Sequence, residues 1–163
     1  MSSSRNTATD RPGQRWHLLC QVIDNFGDAG VMWRLARQLH EEHGCQVHLF
    51  IDQPDVLERL APKAERPPIL VSQLDDDAAV GQNADVIVCG FQVRLPRKAR
   101  AALKSRQPCP PLLIQLEYLS AEDWVADGHG LPSLQPDGLT EHFFNPGFSA
   151  DTGGLLRERD LLQ

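Results

Sequence analysis

Apolar strand-like runs alternating with helical stretches point to an α/β domain, Rossmann-like, with a mostly parallel sheet and flanking helices. Three observations carry that expectation. First, a strand, a short loop, a helix and a second strand succeed one another within about 36 residues, from Trp16 to Ile51, the spacing of a βαβ unit. Second, two further apolar runs, Asp85 to Cys89 (DVIVC) and Leu112 to Leu119 (LLIQLEYL), are separated by a helical stretch, which repeats the alternation. Third, 163 residues with 41% apolar and 23% charged side chains are enough to bury the core of one domain.

Each element has its own local reason. Trp16 to Ile23 (WHLLCQVI) is an apolar run closed by Asp, Asn and Gly, and predicts a buried strand. Asp24 to Gly30 (DNFGDAG) predicts a loop, because Asn25, Gly27 and Gly30 accept positive φ readily. From Val31 to His43 the apolar positions Val31, Leu35 and Leu39 recur at helical spacing, and Gly44 supplies a stop. Gln46 to Ile51 predicts the second strand, Pro54 to Leu60 a short helix with Pro in its first turn, and Ile69 to Val71 a brief strand. The acidic run at 75–77 predicts a solvated turn, and Pro96 to Lys104 a helix with a basic outer face. Ser120-Ala-Glu-Asp123 has the S-x-x-D form of an N-cap for a helix running through Trp124. From Asp127 onward Gly and Pro dominate, and the expectation is loop. Residues 1–15 are polar, lack an apolar core of the kind a secretion signal carries, and are expected to be a disordered tail, leaving 16–163 as the domain.

Composition excludes several classes of function. Sixteen Lys+Arg against 22 Asp+Glu give a net charge of −6, the wrong sign for a chain whose partner is nucleic acid. No apolar run approaches the ~20 residues of a membrane helix. Four cysteines (Cys20, Cys45, Cys89, Cys109) lie far apart without a C-x-x-C pair, the usage of a reduced, cytoplasmic compartment. His40-Glu-Glu-His43 places its histidines three apart rather than the four of H-E-x-x-H, so no metal site is expected there.

The segment that carries chemistry is Asp24-Asn-Phe-Gly-Asp28-Ala-Gly30. In a doubly wound sheet the first strand-to-helix connection lies at the C-terminal edge of the strands, where ligands bind. Its usual occupant is a phosphate-cradling G-x-G-x-x-G, but here only G-x-x-G remains, at Gly27 and Gly30, flanked by two aspartates. Paired carboxylates repel a diphosphate and attract a cation, or take a proton from a nucleophile. The plain alternative is that Asp28 caps the helix, Asp24 orders the turn and Arg34 pairs with one of them. Glu117, Tyr118, Glu122 and Asp123 form an acidic and aromatic cluster near the same edge, open either to a structural reading or to binding a basic protein loop.

Trp16, Cys20 and Val22-Ile-Asp-Asn-Phe-Gly-Asp-Ala-Gly30, continuing to Trp33-Arg-Leu-Ala-Arg-Gln-Leu39, resemble the opening of the elongation factor P arginine rhamnosyltransferases (EarP). Leu116-Glu-Tyr-Leu-Ser-Ala-Glu-Asp-Trp124, His129-Gly-Leu-Pro132, Phe143-Phe-Asn-Pro-Gly-Phe148 and Thr152-Gly-Gly-Leu-Leu-Arg-Glu158 resemble the same family in the same order. One stretch departs, with Cys89 and Arg94 where the family usually has glutamates.

The resemblance implies the N-terminal, acceptor-side half of a GT-B glycosyltransferase, with the nucleotide-sugar domain absent. It implies inverting transfer of rhamnose from dTDP-β-L-rhamnose to an arginine of elongation factor P, with no cofactor. It further implies Asp28 as general base, Asp24 as the group that helps hold the guanidinium, and Asn25, Phe26, Gly27 and Asp28 as donor contacts. Glu117, Tyr118, Glu122 and Asp123 become candidates for the acceptor. By the same resemblance this chain alone is expected to be inactive. Two other readings stand beside it: a non-catalytic module that binds a basic loop through the acidic edge, and a small nucleotide-binding domain, which the two carboxylates disfavour.

Overall fold

A computed structural model describes residues 13–75, 79–106 and 109–161. Seven strands form one sheet: β1 (Arg15–Cys20), β2 (Gln46–Ile51), β3 (Leu70–Gln73), β4 (Val86–Gly90), β5 (Leu112–Leu116), β6 (Pro132–Leu134) and β7 (Thr140–Phe144). Four α-helices accompany them: α1 (Asn25–Glu41), α2 (Pro54–Leu60), α3 (Arg97–Lys104) and α4 (Trp124–Gly128). The strand order is β3-β2-β1-β4-β5-β7-β6. Every pairing is parallel except β6 with β7. This is the expected Rossmann-like α/β arrangement.

Alternation along β1 builds both cores. Leu18 and Cys20 turn to one face and pack with Met32 and Ala36 of α1 and Leu57 of α2. Leu19 turns to the other and packs with Phe50, Ile87 and Leu113 against Ala99 and Leu103 of α3. Leu18 and Leu19 are fully buried, each worth about 1.5–3 kcal/mol of transfer free energy. The strand order runs outward in both directions from the β1/β4 pair, so the connections after these two strands diverge and leave a crevice between them at the C-terminal edge.

Several expected boundaries move. β1 stops at Cys20 and not at Ile23, because the Val22 N–H donates to Asp52 Oδ1 at 2.9 Å instead of continuing a ladder. α1 starts at Asn25 and ends at Glu41, so the loop expected over 24–30 is largely its first turns. Arg15, placed in the tail by sequence, already belongs to β1, and residues 1–12 lie outside the described residues. Asp75 sits in a turn, whereas Asp76 and Asp77 lie outside the described residues. The Ser120 hydroxyl accepts the Glu122 N–H at 3.1 Å, a local turn, and α4 begins only after Asp123. The stretch expected to be loop holds β6 and β7, a hairpin turning at Gly138 (φ 88). β7 then inserts beside β5 in parallel register, Leu113 opposite Glu141 and Leu116 opposite Phe144.

Candidate active site at the sheet edge

Asp28 is anchored by the backbone that leads into its own helix. The N–H groups of Ile23 and Asp24 both donate to Asp28 Oδ2, each at 2.9 Å. That reach-back holds the last two residues before the helix and closes its first turn. The Gly27 N–H meanwhile donates to the Asp24 carbonyl at 2.7 Å. Asp28 is only 2% exposed. Its charge is felt by what surrounds it: burial, then Asp28 and Asp52, push the Cys20 thiol up to about 12.

Asp24 lies against the same turn. A Cβ built on Gly27 would come within 2.7 Å of Asp24 Oδ2, so the glycine leaves the space that this carboxylate occupies. The alternative in which Arg34 pairs with one of the two aspartates does not hold. Arg34 instead makes two bonds to Glu158, at 2.6 and 2.7 Å, and one of 3.4 Å to the Leu156 carbonyl. Arg34 therefore fastens the C-terminal segment to α1 and is ion-paired with Glu158 rather than with either aspartate, although it lines the same cleft.

Facing them, Tyr118 follows β5. Its phenol is pushed up from its ordinary value by burial and then by the nearby Asp28 carboxylate, with Asp24 adding to the effect. The Tyr118 ring stacks on Phe91, centroids 4.6 Å apart and planes 18° apart. Phe91 and Gln92 follow β4 with φ of 55° and 68°, an unfavourable backbone region for side chains of that size. The Phe91 N–H is fixed to the Leu116 carbonyl at 2.7 Å. The loops after β1, β4 and β5 thus converge on one cleft of about 850 Å³, which Asp24, Gly27, Asp28, Phe91, Glu117 and Tyr118 line at this end.

Not every residue expected at the site is in that cleft. Asn25 (φ 32) and Phe26 stand exposed on the first turn of α1, outside the lining. Glu122 and Asp123 are exposed on the segment before α4 and do not line it either. Sequence reasoning missed Phe91, whose positive φ carries no side-chain signature. The two departures from the family pattern also lie away from the cleft. Cys89 is buried against α3, its thiol pushed up to about 12 by burial. Arg94 lines a separate crevice of about 610 Å³. There Arg100 is ion-paired with Asp137 and, at 2.6 Å, with Glu141. Among the described residues no cluster of His, Cys, Asp or Glu could hold a metal ion, and no helix is long and apolar enough to cross a membrane.

Residues 16–163 match the family model described as elongation factor P rhamnosyltransferase EarP. The chain belongs to the EarP family. Three curated relatives agree, each described as a protein-arginine rhamnosyltransferase. The protein from Pseudomonas aeruginosa is 46% identical over 156 residues, 91% of this chain and 41% of the relative. That from Pseudomonas putida is 46% identical over 154 residues, 90% of this chain and 41% of the relative. That from Shewanella oneidensis is 37% identical over 175 residues, 99% of this chain and 42% of the relative. The chain spans about two fifths of the length of these EarP relatives, whose names make them glycosyltransferases acting on protein arginine.

Proposed function

We propose that this chain is the acceptor-side part of an inverting protein-arginine rhamnosyltransferase, taking rhamnose from dTDP-β-L-rhamnose to an arginine of elongation factor P. The observation that carries the reading is the pair Asp24 and Asp28 in one cleft, Asp28 held through one oxygen by two backbone N–H groups. Fixed carboxylates at that edge select a cation over a diphosphate. Guanidinium is always charged and its nitrogen lone pairs are delocalised, so it is a poor nucleophile until a base orients it and takes a proton.

In the proposed reaction Asp24 holds the guanidinium and Asp28 removes a proton from the attacking nitrogen as the new C–N bond forms. The sugar C1–O bond breaks on the opposite face and dTDP leaves with its electron pair, which inverts the anomeric carbon. The carboxylate needs to accept the proton only as the guanidinium becomes a substituted cation, a step whose proton is more acidic than that of the free group. Asn25, Phe26, Gly27 and Asp28 are proposed to meet the donor from the helix side, with Phe26 and Asn25 at the outer rim. Glu117 and Tyr118 are proposed to meet the acceptor. The reaction as written uses no cofactor, and a translation factor as acceptor places it in the cytoplasm.

The test is intact-mass analysis of elongation factor P after incubation with donor and a full-length protein that contains this chain. A gain of one deoxyhexose, located on arginine, is expected with the full-length protein and not with residues 1–163 alone. Binding of elongation factor P without any mass gain in the full-length protein would replace the enzyme reading by the binding-module one.

A further inference from the structure

The aromatic pair beside the two aspartates is the feature the transfer chemistry does not by itself require. Phe91 is 4% exposed and supports one face of the Tyr118 ring, while Tyr118 is 43% exposed and lines the cleft. One face of the ring is thus covered by Phe91, and the residue lines the same cleft as Asp24 and Asp28. Holding it there requires two consecutive non-glycine residues, Phe91 and Gln92, in the left-handed backbone region. Such strain persists where surrounding contacts over-determine it and is concentrated at sites.

We infer that the open face of Tyr118 is a stacking platform for a planar guanidinium, delivering its N–H edge to Asp24 and Asp28, and that this platform makes the site choose arginine over lysine. The inference rests on the reading of the acidic edge as the acceptor site and adds the element of choice. Carboxylates alone do not distinguish the two cations well, since an ammonium satisfies them as a point charge. A flat, delocalised and weakly hydrated guanidinium gains from lying on a ring, whereas a compact, strongly hydrated ammonium gains less.

The measurement uses the chain itself. Acetylated and amidated Gly-Arg-Gly and Gly-Lys-Gly peptides are titrated into it, and binding is followed through the amide resonances of Gly27 and Asp28. The arginine peptide is expected to bind roughly three- to tenfold more tightly than the lysine peptide, the range of a cation over an aromatic face. Tyr118→Leu is expected to bring the ratio close to one, and Tyr118→Phe, which keeps the ring, to preserve most of it. Equal affinities in the unaltered chain, no binding of the arginine peptide, or an unchanged ratio in Tyr118→Leu would each overturn the inference. The ratio in the unaltered chain decides the matter even where Tyr118→Leu fails to fold. Asp28→Asn and Asp24→Asn separate the two readings. If they leave arginine-peptide affinity unchanged, the acidic edge itself is misread. If they weaken both peptides while the ratio is one, only the platform fails.

Discussion

His17 shows how one buried polar residue ties this fold to pH. It sits on β1, nearly covered, with its Nδ1 accepting the Gly81 N–H at 3.0 Å. Its ring packs against His48 and Phe50, 5.4 and 5.2 Å between centroids. Burial, followed by the nearby His48, Arg106 and Arg15, lowers its pKa from 6.5 to about 4. Below pH 6.5 the unfolded chain takes up a proton that the folded chain refuses until about pH 4. Stability is therefore full above 6.5, falls as pH drops through that window, and levels off for this group below 4. Denaturant unfolding at pH 7.5 and 4.5 should show that loss, and His17→Leu, though less stable overall, should flatten it. An equally steep dependence in His17→Leu would assign the effect to another group. At this scale the sequence was informative where chemistry and spacing coincide. Asp24 and Asp28 are recognisable as a pair because G-x-x-G flanked by acids is the wrong composition for a phosphate cradle. Phe91 was invisible, since its place depends on a left-handed turn that nothing in the Phe-Gln dipeptide announces.

At the scale of the element, α1 shows a local signal giving way to hydrogen bonding. DNFGDAG has the composition of a loop, yet its residues are helical because the Asp28 carboxylate reaches back to two N–H groups and so stabilises the first turn. Its placement against the sheet depends on Gly90 at the end of β4. A Cβ there would stand 2.7 Å from Met32 Sδ and 3.3 Å from the Leu19 carbonyl, and Met32 is fully buried. Gly90→Ala therefore overpacks the contact between α1 and the sheet. We expect a stability loss of about 1–3 kcal/mol, read from the midpoint of chemical unfolding. A neutral result would mean that Met32 has room to turn away. The strands in runs of apolar residues were legible because parallel strands are buried on both faces. β6 and β7 were not. Their Gly- and Pro-rich surroundings mask three- and five-residue strands, and β7 is a strand by virtue of its partner β5 more than of its own residues.

Across the whole molecule, the sheet order sets where function can sit. Loops after β1, β4 and β5 meet at one edge, where Asp24, Asp28 and Glu117 line the cleft; Arg34 and Arg157 line it as well, and Arg34 is ion-paired with Glu158 of the C-terminal segment. A net charge of −6 agrees in sign with the basic acceptor proposed for this edge. General-base catalysis is worth ~10²–10⁴ in rate, and its removal from a held carboxylate is the most direct question to ask. The measurement is the rate of deoxyhexose addition to elongation factor P by full-length protein, unaltered and as Asp28→Asn, with folding checked by thermal unfolding of each. The account predicts a fall in kcat of about 10²–10⁴ with the fold retained, and near-unaltered turnover in a folded Asp28→Asn protein would contradict it.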